Sequence, residues 1–444
     1  MTIVYSSLNH AMRVPLAAEI HSRPFMKLDA PELISHFAIY RNPESGAGAP
    51  SGHSHHKTLN ALCKHFGVSS PADEAKYFYH DFGRFRLKWE CHTEFSTYTF
   101  ALRPDLEYST EEAFEHMPVT HLPQEWLLSL KGRLMVAAHV ALERGGAELE
   151  SLQRIFEGNT MAGSQVMQGG EVYTDFAIQS DGFSRFVIRD VGMRAQQAGR
   201  LVQRVLEIET YRMFALLGLP QAQQAAPVLN AIEGELVTLA GAMVQTDAAQ
   251  IEDGMGDGAM EQKLLGEITR LAARIEKLSL ETSYRFSASK AYFRLVHARI
   301  DELRENRIEG IPNVAEFMDR RLTPAMNTCE AVAARQEALA RRVANTNDLL
   351  RTRVGIIQEQ QNRKILQSMN RRAAQQLRLQ QAVEGLSVAA ISYYVVGLIG
   401  YSTKAIKAAG VIGNPDVVIG FAVPLVLGGV WLSLRNMHKR LHTA

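Results

Sequence analysis

Cysteine is scarce in this chain: there are three in 444 residues, Cys63, Cys91 and Cys329, and each stands alone. An odd count with no CxxC pair excludes a disulfide framework and a zinc knuckle, and it fits a reducing compartment. An excess of either charge is also lacking, with 48 Lys and Arg against 47 Asp and Glu, a net charge of +1. A nucleic-acid binder should carry a basic excess or stripe, so that class is set aside. The opening stretch, MTIVYSSLNHAMRVPLAAEI, holds no continuous apolar run of signal-peptide length, so the front of the chain is expected in the cytoplasm. There is no G-x-S-x-G elbow and no Walker loop. The Gly-containing segment GSQVMQGG (163–170) lacks the lysine and helix of a phosphate loop. The chain is therefore read as a non-enzyme, and it shows no internal repeat.

The apolar runs come last. Residues 385–401 (GLSVAAISYYVVGLIGY) and 417–434 (VVIGFAVPLVLGGVWLSL) carry no charge. A membrane-crossing helix needs about 17–25 such residues, so both qualify as transmembrane helices. Pro424 is tolerable there, because neighbouring groups in a membrane bundle can satisfy the carbonyl it frees. Arg371, Arg372 and Arg378 precede the first run, and Arg435, Lys439 and Arg440 follow the second. The connecting loop carries Lys404, Lys407 and Asp416, and Asn414 lies beside them. This contrast predicts both ends in the cytoplasm, with Asn414 and Asp416 external.

The rest divides by pattern. Residues 1–195 read as a cytoplasmic α/β domain. ELISHFAIY (32–40), the run 85–102 and LMVAAHVALE (134–143) are expected as strands, 57–66 and 72–80 as helices, and 172–190 as a hairpin turning at Ser180-Asp181-Gly182. Residues 196–384 read as helical, ending in a long stalk whose apolar positions Val343, Leu350, Val354, Ile357, Leu366, Met369, Ala373 and Leu377 fall at coiled-coil spacing. Residues 385–434 form the two-helix membrane region, and 435–444 a cytoplasmic tail. The fold class is thus an α+β head, a helical stalk and two C-terminal transmembrane helices.

Several phrases carry a family resemblance: EIHSRPF (19–25), DFGRFRLKWECHTEFSTYTF (81–100), VYTDFAIQSDGFSRFVIRD (172–190), GRLVQRVLEIETYRMFALLGLP (199–220), RFSASKAYFRLV (285–296) and QLRLQQAVEGLSVAAISYYVVG (376–397). They resemble an uncharacterised bacterial family of predicted membrane-anchored proteins, a domain of unknown function. That resemblance spans nearly the whole chain and implies a membrane location but no activity. The layout is also similar to the CorA-type metal-ion transporters, which implies a homo-oligomer, a pentamer in that family, with the first span lining a pore. The aromatic-Gly-Met-Asn signature of those transporters is absent, since Tyr401-Ser402-Thr403 follows the first span here.

Three groups of residues are candidates for function. On a strand through 88–94, Glu90, His92 and Glu94 would share one face and could hold a divalent cation. The same face equally suits ion pairs with Arg84, Arg86 or Lys88. His53, His55 and His56 crowd a Gly- and Pro-rich loop, too close together to surround one zinc. Along the first span, Gln380, Glu384, Ser387, Ile391, Tyr394, Leu398 and Tyr401 recur at alternating steps of four and three, one helical face. Glu384, Ser387, Tyr394 and Tyr401 would line a pore in a symmetric bundle, with Glu384 as a ring at the cytoplasmic mouth. Glu384 as the last polar residue before the bilayer, with interfacial tyrosines, is the other reading. An ion channel or transporter leads, and a membrane-anchored scaffold is the alternative. The expected partners are the lipid bilayer and further copies of the chain.

Overall fold

A computed structural model describes residues 8–20, 23–40, 53–106, 108–145, 149–156, 159–194, 196–253, 258–408 and 415–441. In chain order the elements are α1 (Arg13–Ile20), β1 (Glu32–Tyr40), α2 (His53–His65), β2 (Tyr77–Asp81), β3 (Arg86–Cys91), β4 (Phe95–Leu102), α3 (Thr110–Ala113), a 3₁₀ turn (Pro118–His121), α4 (Gln124–Leu128) and β5 (Leu134–Arg144). There follow α5 (Leu149–Ile155), β6 (Ala162–Val166), β7 (Gly170–Ile178), β8 (Ser184–Asp190), α6 (Gln197–Leu216), α7 (Gly218–Asp253), α8 (Ala259–Leu303), β9 (Asn306–Arg307), α9 (Val314–Ala408) and α10 (Pro415–Leu441).

The chain divides into two compact units. One comprises Met1–Gly241 with Glu267–Asn345, the other Ala242–Gly266 with Thr346–Ala444. Within the first unit, α6 packs directly on the sheet that precedes it. In the first unit nine strands form one sheet in the order β2-β3-β4-β1-β5-β8-β7-β6-β9. Every pairing is antiparallel except β5 with β8. The α/β head is therefore built on a mixed sheet followed by long helices.

Two expectations fail here for local reasons. Residues 77–80, placed in a helix by sequence, belong to β2, whose alternating aromatics pair with β3. The run 85–102 is two strands, because the turn at 92–94 folds β4 back on β3 so that Cys91 faces Ser96. The 172–190 hairpin forms as read, with Phe183 N–H donating to Asp181 Oδ1 at 2.9 Å. Asp81, Asp175 and Asp190 likewise accept from backbone N–H two residues on, the usual work of a turn aspartate.

Strand alternation sorts the side chains into two faces. Phe37 and Ile39 of β1, Leu87 and Trp89 of β3 and Tyr98 and Phe100 of β4 point to one face, where they meet Leu59 and Leu62 of α2 and Trp126 of α4. Each fully buried aliphatic or aromatic side chain there contributes roughly 1.5–3 kcal/mol. The opposite face carries His36 and Tyr40 of β1, Lys88 and Glu90 of β3 and Phe95, Thr97 and Thr99 of β4. Helix α6 covers it: its Leu201, Val202, Val205, Leu206 and Phe214 are buried, and Phe95 stacks on Phe214 with centroids 4.3 Å apart. Helices α7, α8 and α9 add a helical layer bound by ion pairs such as Arg274–Glu235 at 2.7 Å and Arg335–Glu233.

In the second unit, α9 continues without a break through the first apolar run to Ala408, and α10 covers the second. Among the described residues, two helical stretches are long and apolar enough to cross a membrane, within Gln197–Gln245 and within Val314–Ala405, and Ile419–Ser433 is a shorter apolar helix. The apolar part of α9 is the more exposed of the two long stretches. In the first stretch, Glu233 and Glu235 are paired with arginines of the helical layer.

Candidate functional site

The face of the sheet under α6 is not filled. Between β1, β3, β4, α6 and α8 lies a cavity of about 440 Å³, lined by groups of both charge signs over a hydroxyl-rich floor. The floor follows from the sequence of β4, where Thr97 and Thr99 occupy the positions that face α6. Between them and α6 sits His36, whose Nδ1 lies 2.9 Å from Thr99 Oγ1 and whose Nε2 lies 3.2 Å from Thr210 Oγ1. Burial holds the His36 imidazole down to about 3, with Lys88 and then His92 adding to the effect. The ring is therefore neutral at physiological pH.

A line of alternating charges crosses the cavity. Lys88, almost wholly buried, places Nζ 3.1 Å from Glu90 Oε1 and donates to Gln203 Oε1 at 3.1 Å. Gln203 Nε2 donates to Glu207 Oε1 at 2.8 Å, and Arg299 of α8 donates through Nε to Glu207 Oε2. Arg299 Nη1 then donates to Glu302 at 2.8 Å, which also accepts from Arg204. Burial pushes the Glu90 carboxyl up; Lys88 opposes this and Glu207 adds to it. Burial, with Glu207, also raises the Tyr211 phenol. At the mouth, Arg23 donates to the Cys91 carbonyl at 3.2 Å, and Glu19 of α1 accepts from Lys76 at 2.9 Å. A more open hollow shares Glu19, Arg23, His92 and Tyr211 and continues past Ala75 and Lys76.

This geometry separates the three residues expected to bind metal. Glu90 and His92 line the cavity, Glu90 paired with Lys88 and His92 stacked on Phe95 at 4.5 Å. Glu94 turns away and is buried against Arg285, Nη2 to Oε1 at 2.5 Å, with Tyr40 completing the cluster. The strand that would align all three ends at Cys91. Among the described residues no three of His, Cys, Asp and Glu gather as a metal ion requires.

The histidines of 53–56 lie in the first turn of α2 rather than in a loop. His56 faces the Ala75 carbonyl through Nε2 at 2.9 Å and packs on Trp89. The side chains of His53 and His55, and residues His21 and Asn414, fall outside the described residues, while Asp416 is exposed in the first turn of α10. The charged residues of α6 mostly find partners on other elements. Glu209–Arg212 is intrahelical, whereas Arg204 reaches Glu302, Glu207 reaches Arg299 and Arg200 lies over Phe25.

On the apolar part of α9, Ser392 and Thr403 are buried, and a Cβ at Gly400 would meet Ile419 of α10. Tyr394 and Tyr401 are exposed, and Ser387 donates back to the Val383 carbonyl at 2.9 Å.

The cavity was missed in sequence because its parts come from four separated segments. Two local signals exist: His36 follows Ser35 in the middle of a mostly apolar strand, and Lys88 and Glu90 alternate with Leu87 and Trp89. No curated protein and no solved structure matches the chain, and the resemblance to CorA-type transporters is not shown. The family described as "Protein of unknown function (DUF3422)" matches residues 8–441, and the chain belongs to it.

Proposed function

We propose that this is an integral protein of the bacterial inner membrane, anchored by the hairpin of residues 385–434, with both termini and the α/β head in the cytoplasm. The observation that carries the reading is the surface of that hairpin. Leu386, Tyr393, Leu398, Phe421 and Leu425 are each 66–78% exposed, and neither apolar run holds a charge. A helix pair apolar all round has to be covered by something, and the hydrocarbon core of a bilayer suits it. Cys63 and Cys329 are buried, Cys91 is half-buried, and none of the three is in a disulfide, which fits a reducing compartment. The test is topological. In a Cys91→Ser background, a cysteine at Ala408 should react with an impermeant thiol reagent in intact cells or spheroplasts. Reaction only after lysis would refute the orientation.

One observation favours transport as a second reading. The stripe through Tyr394, Leu398 and Tyr401 is exposed on the side of α9 opposite Ser392 and Thr403. Copies of the chain gathered around that stripe would place Tyr394 and Ser387 along a common axis and Glu384 at its cytoplasmic end. A carboxylate ring there concentrates cations. Under this reading Glu384→Gln reduces cation flux into proteoliposomes without lowering the amount of assembled protein. Wild-type liposomes that pass no common cation would leave the protein an anchored scaffold or binding module.

A further inference from the structure

We infer that the cavity beneath α6 is a binding site for a small zwitterion of amino-acid size, one carboxylate and one ammonium on the same molecule. The inference is independent of membrane anchoring.

Three features of the cavity carry it. The first is its balance of charge. Lys88, Arg299 and, at the mouth, Arg23 face Glu90, Glu207 and Glu19, three of each sign around one half-open cavity. A ligand of one sign would leave an unmatched charge beside the buried Lys88–Glu90 pair, which is unfavourable. A ligand carrying both signs exchanges partners with the resident pairs and leaves the cavity neutral.

The second is spare hydrogen-bonding capacity of the right kind. An ammonium has three N–H donors. Among the described residues, Lys88 Nζ has Glu90 and Gln203 as partners, which leaves one donor. Arg299 commits Nε and Nη1, and its Nη2 has no partner among the described residues. Those donors suit a carboxylate. Glu90 and Glu207 lie close enough for the charge of one to disfavour the other. An ammonium placed between them relieves that repulsion and takes up their remaining lone pairs.

The third is size and floor. A cavity of about 440 Å³ suits a ligand of amino-acid or dipeptide size. Thr97, Thr99 and Thr210 supply hydroxyls, and Val202, Leu206 and Phe95 supply apolar wall for a side chain. His36 engages Thr99 and Thr210 through both nitrogens, so the floor is preorganised before anything binds.

The test uses purified full-length protein in detergent. Thermal unfolding is followed with the common L-amino acids, and with acetate, succinate, methylamine and putrescine as single-sign controls. At least one amino acid should raise the unfolding midpoint saturably, and titration calorimetry should give one site per chain. The amide and the decarboxylated analogue of that amino acid should bind at least about tenfold more weakly, as should the wild-type ligand with Lys88→Met or Glu207→Gln. Because Lys88 is buried, Arg299→Gln at the rim provides a variant less exposed to misfolding and should show the same loss. The inference is overturned if no amino acid shifts the midpoint, if a single-sign control shifts it equally, or if binding survives unchanged in Arg299→Gln and Glu207→Gln.

Discussion

Gly199, in the first turn of α6, lies directly against the carbonyl of Met26: a Cβ at this position would stand 1.9 Å from that oxygen. The contact seats the helix on the sheet and holds it at the rim of the cavity, which both residues line. Gly199→Ala should therefore force α6 outward, with a loss of roughly 1–3 kcal/mol or more, as in overpacked cores. Gly234, exposed in α7 with nothing within 4 Å of its missing Cβ, is the control. Gly234→Ala should stabilise by about 0.5–1 kcal/mol through helix propensity alone. Denaturant midpoints of the two variants settle the matter, and a stable Gly199→Ala would contradict the packing described.

His36 gives the head a defined response to acid. Its folded pKa is held at about 3, while in the unfolded chain it titrates near ~6.5. Below ~6.5 the unfolded state therefore binds a proton that the folded state refuses. Stability falls as pH falls toward 3, by up to ~1.4 kcal/mol per pH unit for each such group. His139, buried against Ser35 and stacked on Phe183, is likewise held at about 3 and behaves in the same sense. Between pH 7 and pH 5 each should remove ~2 kcal/mol. His36→Gln keeps hydrogen-bonding capacity but cannot titrate, so its loss of stability over that interval should be smaller than wild type by about that amount. Identical pH profiles would show that His36 is solvated after all.

Glu94 and Arg285 form a buried pair, each side chain 7% exposed, that ties the β3–β4 turn to α8. Arg285→Leu leaves the carboxylate buried without its partner and should destabilise by ~3–5 kcal/mol. The double variant Glu94→Leu with Arg285→Leu removes both charges and should recover most of that loss. A double variant no more stable than Arg285→Leu would mean that the hydroxyl of Tyr40, which accepts from Arg285, or packing matters more than the charge.

What could be read from sequence follows the range of each interaction. The strands β1 and β5, the β7–β8 hairpin, α6 and the unbroken passage of α9 into its apolar run are local patterns, and each was legible as a period or a turn signal. The fate of Glu90, His92 and Glu94 was not, because alternation predicts a shared face only while the strand lasts. The turn after Cys91 was concealed by Thr93 and Phe95, which are good strand residues. The cavity depends on which parts of α6 and α8 come to lie over β3 and β4, information spread across some two hundred residues of chain. Glu207 and Arg204 stand three apart on α6, a spacing that also permits a pair within the helix, and only the presence of α8 directs them to Arg299 and Glu302.

The apolar stripe of α9 makes the same point and leads to the last prediction. Read as a coiled-coil seam it runs from Val343 to Leu377, but its first members are already used within the chain: Val343 and Leu350 are buried at 1% and 0% exposure. Replacing Leu350 would therefore test folding rather than assembly. Leu366, Met369 and Leu377 remain 54–61% exposed, on a stretch whose other faces are Arg, Gln and Asn. If copies of the chain associate through α9, these are the positions that a second copy would cover, each burial contributing roughly 1.5–3 kcal/mol. Leu366→Asp with Leu377→Asp should then dissociate the purified oligomer while leaving the head's thermal unfolding unchanged, since neither side chain is buried in the monomer. Light scattering in detergent gives the mass directly. An unchanged mass would exclude this stripe as the seam and turn the search for one to the exposed Tyr394–Tyr401 face of α9.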